Sequence, residues 1–324
     1  MSDAVTGTAA VSRDKYDKYD RLIAAAQKET AIKVAVAHPC DEVSLRGAVE
    51  AKNLRLVEPI LVGPVERVRA VAAQSNLDIG AIEIVNSEHS EDSAAKAVGL
   101  VTAGKVEALM KGSLHTDELM SAVVSRQSGI RTARRISHCF IMDVPGRSEP
   151  LIITDAAVNI APDLDGKVDI IQNAIDLAHA MGLTEVRVAI LSALETVTAK
   201  VPSTIEAAAL CKMAERGQIT GALLDGPLAL DNAISPEAAA IKKIASPVAG
   251  RANVLVVPDL EAGNMLAKSL SFLAQAESAG IVLGARVPII LTSRADSLVS
   301  RLASCAVAVM VAAARRKSAP AAIR

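Results

Sequence analysis

Short aliphatic runs recur along the whole chain and alternate with longer stretches of helical periodicity. Eight runs of three or four residues are rich in Val, Ile, Leu and Ala, and most end near Gly, Pro, Asp or Ser: 34–37, 60–62, 108–110, 151–153, 188–191, 222–224, 254–257 and 289–291. Nearly continuous aliphatic sequence suits strands that are buried on both faces, as in a mainly parallel sheet covered by helices. The pattern therefore predicts an α/β fold.

One helix between these runs can be delimited from the sequence. It begins after Asp165 and Gly166 and ends before Gly182, which can adopt the left-handed conformation of a helix terminator. Its apolar face consists of Val168, Ile171, Ile175 and Ala178.

Polar clusters follow several of the aliphatic runs. They are Lys-Gly-Ser at 111–113, Thr-Asp-Ala at 154–156, Asp-Gly-Pro at 225–227, Asp-Leu-Glu at 259–261 and Ser-Arg at 293–294. In open α/β sheets, ligands bind beyond the carboxyl ends of the strands, where loops and helix N-termini present backbone N–H groups. The sequence therefore predicts that these clusters share one rim of the sheet.

Length and charge narrow the class of protein. A chain of 324 residues exceeds the usual size of a single core, so two domains are expected. The net charge is −1, and the only aromatic residues other than histidine are Tyr16, Tyr19, Phe140 and Phe272. Nucleic acid is therefore not an expected partner, because both a basic surface and stacking platforms are missing.

The same reading predicts a soluble, cytoplasmic protein. No apolar run reaches the roughly 18 uncharged residues of a membrane span, and the N-terminus does not resemble a signal peptide. The cysteines lack the paired spacing of a zinc site or a disulfide framework, so they are interpreted as free thiols. They are Cys40, Cys139, Cys211 and Cys305.

Four ordered motifs near the C-terminus carry a family resemblance. They occupy 225–232, 246–250, 258–264 and 292–297, and earlier motifs at 110–117, 140–146 and 153–159 keep the same order. Together they resemble the phosphate acetyltransferase and phosphate butyryltransferase family. Several motifs in a fixed order are far more specific than one short pattern.

The resemblance implies a particular architecture. It implies a homodimer with a two-domain fold like that of isocitrate and isopropylmalate dehydrogenases, with mainly parallel sheets and an interdomain cleft. The first domain comprises 31–148 plus 292–324, and the second comprises 149–291. Residues 1–30 are expected to form a polar lead-in helix or a loose arm on the solvated surface, because charged runs are usually exposed.

The resemblance also implies the reaction. This is reversible transfer of a short acyl group between coenzyme A and inorganic phosphate, with the thioester as substrate and neither metal nor redox cofactor. Such a reaction needs an anchor for phosphate, a donor to the oxyanion, and a group that manages the thiol proton.

The family places its phosphate-binding Ser-Arg pair at Ser293 and Arg294. A guanidinium can hold two phosphate oxygens at once, and the serine hydroxyl can donate a further hydrogen bond. The alternative is a surface arginine at the start of a helix.

The general base is left open by the sequence. In the acetyltransferase branch an Asp lies six residues beyond the motif arginine, but this position here is Ser300. Asp296 is a candidate substitute, as are Asp259 and Glu261, and catalysis by positioning alone is the other alternative. A carboxylate so close to Arg294 is alternatively its salt-bridge partner, which would make it a weak base.

Further substrate-binding candidates come from the matched motifs. Lys111, Gly112 and Ser113 combine positive charge with a backbone that a ligand can approach closely, although they do not form a nucleotide-binding P-loop. His115 also matches a family position, and the arginines at 131, 134 and 135 are candidates for coenzyme phosphates or ordinary surface residues. The remaining candidates are Asp225, Gly226, Pro227, Asp259, Glu261 and Asn264.

The polar groups of the C-terminal motifs allow two other interpretations. Oxygen ligands suit divalent cations, as in the dehydrogenases of this fold, but the sequence lacks a dinucleotide-binding fingerprint. Many of these groups can instead cap helices: Ser235 followed by Pro236 is a typical helix start.

Three functions remain as hypotheses. The first is a phosphate acyltransferase, with acetyl preferred and butyryl as the close alternative. The second is a metal- and nicotinamide-dependent decarboxylating dehydrogenase. The third is a non-catalytic protein that binds coenzyme A or acyl phosphates, because a fold does not fix a function.

Overall fold

The computed structural model describes residues 17–293 and 296–318, in which a mixed sheet of eleven strands carries helices on both faces. The strands are β1 Ile32–Ala37, β2 Val57–Gly63, β3 Glu83–Asn86, β4 Ala108–Lys111, β5 Ser137–Asp143, β6 Leu151–Thr154, β7 Arg187–Leu191, β8 Leu223–Leu228, β9 Val254–Val256, β10 Glu277–Leu283 and β11 Ile289–Ile290. The helices are α1 Asp17–Ala26, α2 Glu42–Asn53, α3 Val65–Gln74, α4 Ser90–Thr102, α5 Thr116–Val124, α6 Leu164–Ala180, α7 Pro202–Glu215, α8 Leu230–Ile234, α9 Pro236–Ile241, α10 Leu260–Leu273 and α11 Leu298–Ser318.

All eight aliphatic runs lie in or next to strands, which confirms the predicted α/β class. The predicted helix is α6, with Gly182 at φ +89° beyond its end. It begins at Leu164, before the predicted start after Gly166, because Asp163 is its N-cap and accepts from Gly166 N. Three strands escaped the pattern, because polar or small residues interrupt their apolar sequence. They are β3, β5 and β10.

The strand order is β3-β2-β1-β4-β11-β10-β5-β6-β9-β7-β8. The first five strands are mutually parallel, as are the last four. Between them, β10 is antiparallel to β11 and to β5, and β5 is antiparallel to β6. The two parallel groups therefore run in opposite directions.

This reversal corrects the expectation of a single rim. The carboxyl ends of β4 and β11 lie at one edge of the sheet, next to the start of β10. The carboxyl ends of β6 and β9 lie at the opposite ends of the strands. Three successive antiparallel pairs, β11 with β10, β10 with β5 and β5 with β6, leave β6 running opposite to β11. The aliphatic runs contain no signal for strand direction, so the sequence pattern alone cannot reveal the reversal.

The two faces of the sheet are covered differently. One continuous core joins the sheet to α1, α2, α3, α6, α7 and α11. The other face has two separate cores, one beneath α4 and α5 and the other beneath α8, α9 and α10. Where the two cores meet, β5 and β10 contribute His138, Phe140 and Gly280 to this face.

The helix α11 is long and apolar enough to span a membrane by length and composition, but 67% of its apolar window is buried within the protein. It packs against α1, α2, α6 and β10. One helix of this kind is typical of the core of a globular protein, and here it joins the end of the described chain to its beginning.

The predicted polar lead-in is partly a packed helix. Lys18 Nζ lies 2.5 Å from Asp143 Oδ1, and the Tyr19 hydroxyl donates to the Ile141 carbonyl at 2.6 Å. The expectation of solvated surface is wrong for Lys18 and Tyr19, because the ion pair of the lysine and the hydrogen bond of the tyrosine hydroxyl stabilise their burial. Residues 1–16 lie outside the described residues, and the proposed domain bounds stay a prediction.

Candidate active site

The loop after β4, residues 111–115, is held tightly against the end of β1. Gly112 N donates to the Ala37 carbonyl at 2.9 Å. A Cβ atom at Gly112 would lie 2.3 Å from Ala37 O and 2.5 Å from His38 O, so only glycine fits here. The loop brings Lys111, whose side chain is buried, to the carboxyl edge of β4.

Ser113 fixes the other side of this loop. Its backbone N–H donates to the His38 carbonyl at 2.9 Å, and its hydroxyl donates to the same oxygen at 2.8 Å. His38 adopts a left-handed conformation with φ 56°, which aims its carbonyl at the loop. Sequence reasoning missed His38, because nothing in its sequence context marks this conformation.

The Ser293 loop, residues 292–297, follows β11, which pairs with β4. The buried Arg301 donates from Nη1 to Thr292 Oγ1 at 2.8 Å and from Nη2 to the Ser293 carbonyl at 2.5 Å. Ser293 N donates to Asp296 Oδ2 at 2.6 Å, and Asp296 N donates back to Ser293 O at 3.2 Å. Arg294, the predicted phosphate anchor, lies outside the described residues together with Ala295.

Charges converge around Asp296. Partial burial raises the pKa of its carboxyl above the ordinary value, and the negative charge of Glu277 acts in the same direction. The hydrogen bond from Ser293 N and the positive charges of Arg301 and Lys111 oppose that increase in pKa. The structure therefore brings Lys111 together with Ser293 and Asp296. In the sequence these two residues follow the lysine by 182 and 185 positions.

A second polar group lies at the carboxyl end of β6. The Asp155 carboxylate accepts the N–H groups of Ala157, Val158 and Asn159 at 3.0 to 3.1 Å. It lies near the buried His138, whose pKa falls to about 4 because burial disfavours the imidazolium. Asp155 was recognised as part of a family motif but was given no role from the sequence.

The α10 candidates adjoin this second group. Asp259 is the N-cap of α10 and accepts from Ala262 N at 2.9 Å. Glu261 is exposed in the first turn, and Asn264 Nδ2 donates to the Ala156 carbonyl at 3.3 Å. These residues are therefore set apart from Ser293 and Asp296 by the strands β10, β5 and β6.

Asp225, Gly226 and Pro227 lie within β8, not beyond its end. Asp225 Oδ1 accepts from Gly226 N at 2.8 Å, and a Cβ atom at Gly226 would lie 2.8 Å from Ile190 O. The edge strand β8 is six strand positions from β11, on the order of 29 Å at about 4.8 Å per strand. The structure does not bring this motif to the Ser293 loop.

Two further sets of predicted residues sit elsewhere. His115 is exposed at the N-cap of α5, where its backbone N–H donates to Glu118 at 2.6 Å. Of the arginine cluster, Arg134 forms an ion pair with Asp176 and lines a cavity of about 720 Å³ beside α6 and α11. That cavity lies at the end of β10 opposite to Glu277.

The metal interpretation of the polar motifs has no geometric counterpart within residues 17–293 and 296–318. No three His, Cys, Asp or Glu side chains there are grouped to hold an ion.

Residues 88–309 match the family described as phosphate acetyl/butaryl transferase. The chain belongs to this family. The match covers more than two thirds of the chain and includes both the 111–115 loop and the Ser293 loop, so the predicted family is confirmed.

Relatives extend the match over nearly the whole chain. A phosphate acetyltransferase from Rhizobium meliloti is 66% identical over 306 residues, which cover 94% of this chain and 97% of the relative. A phosphate butyryltransferase from Clostridium beijerinckii is 39% identical over 91% of this chain and 98% of its own. The chain is thus an acyltransferase-family member with relatives in both branches.

A solved structure supports the fold. The branched-chain phosphotransacylase from Enterococcus faecalis V583 superposes with a TM-score of 0.76 at 29% identity, covering 87% of this chain and 99% of that one. The mixed α/β sheet described above is therefore the fold of a phosphotransacylase.

Proposed function

We propose that this protein is a phosphate acetyltransferase, which transfers an acetyl group reversibly between acetyl-CoA and inorganic phosphate. The choice of acetyl rests on the 66% identity with the Rhizobium meliloti enzyme, against 39% with the butyryltransferase. The chemistry rests on one structural observation: a buried lysine and the Ser293 loop meet at the ends of two paired strands.

Phosphate binding is proposed for Lys111, Ser293 and Arg294. Lys111 supplies positive charge at a buried position, where an anion gains more than it would in bulk water. Arg294 can bind two phosphate oxygens at once, with the Ser293 hydroxyl as an additional donor. Phosphate held in this way can attack the thioester carbonyl, and the thiolate of coenzyme A leaves.

Gly112 and Ser113 are proposed to shape this site. Their backbone N–H groups already donate to the carbonyls of Ala37 and His38. Their role is therefore to hold the loop backbone close to the end of β1 and not to donate to the substrate. The charge of Lys111 stabilises the oxyanion. Asp296 contributes by closing the Ser293 loop through its hydrogen bond to Ser293 N.

The remaining predicted substrate contacts are proposals for the extended coenzyme. His115 lies on the Lys111 side of the sheet, and Asp259, Glu261 and Asn264 lie near the opposite edge. Asp225, Gly226 and Pro227 have contacts that suit a structural role in β8.

Several broader features belong to the same proposal. They are the two-domain organisation of isocitrate and isopropylmalate dehydrogenases, the homodimer, the cytoplasmic location, and catalysis without a cofactor other than coenzyme A as substrate. Membranes and nucleic acid are not proposed as partners. Light scattering of the purified protein tests the dimer, and EDTA in the assay tests independence from metal ions.

The direct test is release of free thiol from acetyl-CoA and butyryl-CoA, each with and without inorganic phosphate. We expect phosphate-dependent release with a higher specificity constant for acetyl-CoA. Arg294→Met should abolish most of the phosphate-dependent release. Arg69→Met, which changes an exposed arginine of α3, should retain it.

A butyryl preference would assign the protein to the other branch, which the 39% identical relative represents. Binding of acetyl-CoA without turnover, by folded protein, would instead favour the non-catalytic alternative. Reduction of a nicotinamide by a hydroxy acid would favour the dehydrogenase.

A further inference from the structure

Ser300 occupies the position of the aspartate in the acetyltransferase branch, and its side chain has a specific partner. The buried Ser300 Oγ donates to Glu277 Oε2 at 2.7 Å. Ser297 Oγ donates to the same oxygen, also at 2.7 Å. Two hydroxyls from the start of α11 thus hold one carboxylate from β10.

Glu277 lies at the end of the sheet that carries the Ser293 loop. It is the first residue of β10, and the antiparallel register of Ile281 with Ile290 brings this end of the strand beside the Ser293 loop. The charge of Glu277 also acts on Asp296 within that loop. The glutamate is half-buried, so its carboxylate is neither sealed in the core nor fully solvated.

The geometry places a negative charge beside Ser300, the position at which the family resemblance implies an aspartate. An aspartate at 300 would place its carboxylate within one hydrogen-bond length of the region that Glu277 Oε2 now occupies, because the Ser300 hydroxyl reaches this oxygen at 2.7 Å. The carboxylate therefore comes from the neighbouring strand and not from the helix.

We propose that Glu277 is the base that accepts the proton of the coenzyme A thiol in this protein. The proposal rests on the proposed acetyltransferase function and names a residue for a step which that function requires. A thiol attacks efficiently only as the thiolate, so a carboxylate at the site has a defined task.

In the direction that forms acetyl-CoA, the thiol proton moves to Glu277 and the sulfur electron pair forms a C–S bond with the carbonyl carbon of acetyl phosphate. The carbonyl electron pair moves to its oxygen, giving the tetrahedral intermediate. When this pair returns, the C–O bond to phosphate breaks and its electrons leave with the phosphate. The proton then passes from Glu277 to the departing phosphate, so charge and atoms balance.

The two carboxylates of the site have different contacts. Asp296 Oδ2 is bound to Ser293 N at 2.6 Å and closes its loop. Among the residues that the structure describes, the hydrogen bonds to the Glu277 carboxylate both fall on Oε2. The second oxygen, Oε1, is therefore the one assigned to the thiol proton.

The charged and titratable groups around Glu277 come from β5, α1 and the loop before α11. Asp143 of β5 is its register partner, and Lys18 of α1 forms an ion pair with Asp143. Tyr19 of α1 donates to the Glu277 backbone carbonyl at 3.1 Å, and Asp296 precedes α11. None of these groups is altered by the substitutions used to test the proposal.

The test compares three variants in the direction that forms acetyl-CoA: Glu277→Gln, Glu277→Ala combined with Ser300→Asp, and Glu83→Gln as a control on the exposed edge strand β3. Glu277→Gln should lower kcat by about 10² to 10⁴-fold at pH 7, which is the usual contribution of a general base. The deficit should shrink as the pH rises toward the pKa of the coenzyme thiol, because the thiolate then forms without a base. Glu83→Gln should match the wild-type protein.

The double variant separates a base from a structural contact. With a carboxylate returned at position 300, the double variant should be at least tenfold more active than Glu277→Gln. An activity of Glu277→Gln within threefold of wild type would overturn the proposal. So would a loss that is independent of pH and not recovered by Ser300→Asp, with melting temperatures reported for every variant. Inactivity of the wild-type protein with phosphate would instead reject the acetyltransferase function itself.

Discussion

Arg301 Nη1 donates to Thr292 Oγ1 at 2.8 Å, so a buried guanidinium on α11 holds the loop on which the predicted phosphate anchor stands. Its second amino group binds the Ser293 carbonyl. We expect Arg301→Met to raise the KM for phosphate by tenfold or more and to destabilise the fold by about 1–3 kcal/mol, because the loop loses both donors. Steady-state kinetics and urea denaturation measure the two effects.

Arg69→Met is the matched control for that experiment, since Arg69 is exposed on α3. A phosphate KM unchanged in Arg301→Met would contradict a positioning role for the arginine.

Gly112 should tolerate no side chain. Gly112→Ala places a methyl group at 2.3 Å from Ala37 O, so the backbone of the 111–115 loop must move. We expect a fall in kcat/KM of at least 10²-fold and a lower melting temperature. Gly99→Ala in α4 is the control, because nothing lies within 4 Å of its added Cβ. Replacing this helical glycine should stabilise the protein by about 0.5–1 kcal/mol. Equal activities of the two variants would argue against close packing at the loop.

His138 should make stability depend on pH. Burial lowers its pKa from 6.5 to about 4, so the folded protein binds fewer protons than the unfolded chain between these values. The contribution of neutral His138 to the free energy of unfolding is complete above pH 6.5. It is lost as the pH falls toward 4, by about 3 kcal/mol in all. Denaturant unfolding from pH 7.5 to 4 measures this slope.

His138→Asn should flatten that slope, whereas His115→Asn at an exposed helix cap should leave it unchanged. Identical slopes in both variants would place the pH dependence in other groups.

The ion pair of Lys18 with Asp143 should matter far more than a surface pair. Both side chains are buried, and no donor other than Lys18 reaches the carboxylate among the described residues. Lys18→Met should therefore destabilise the fold by about 3–5 kcal/mol, because it strands a buried charge. Lys96→Met removes an exposed partner of Asp92 and should leave the free energy of unfolding nearly unchanged.

Urea denaturation of both variants provides the measurement, with Lys18→Met/Asp143→Leu as the third. The double variant should regain most of the lost stability. A Lys18→Met protein as stable as Lys96→Met would show that α1 is loosely attached.

The sequence carried the class of fold because buried parallel strands require aliphatic side chains on both faces. It did not reveal β5 and β10, where His138, Phe140, Glu277 and Gly280 interrupt the apolar pattern. Without those two strands, the opposite directions of the parallel groups could not be deduced. The single rim was therefore a wrong prediction, even though most of the runs on which it rested were correctly identified as strands.

The sequence predicted those site residues that belong to short motifs, and it missed those that depend on contacts between distant parts of the chain. Motif positions gave Lys111, Ser293 and Asp296, and capping rules explained Asp259. Arg301 had a weak signal, as a lone charge in the apolar first half of α11. Glu277 had none, because its partnership with Ser300 depends on the pairing of β10 with β11 beside the start of α11.

The position of β10 between β11 and β5 has a consequence for how the chain is made. Before residues 277–290 emerge from the ribosome, β4 and β5 are free edges of two half-sheets that nothing joins. Contacts such as that of Tyr19 with Glu277, 258 residues apart, form only when synthesis is nearly complete. Such non-local closure is slow, and unpaired edges invite association. Residues 277–290 therefore join the two half-sheets, and a chain that stops short of them retains two open sheets.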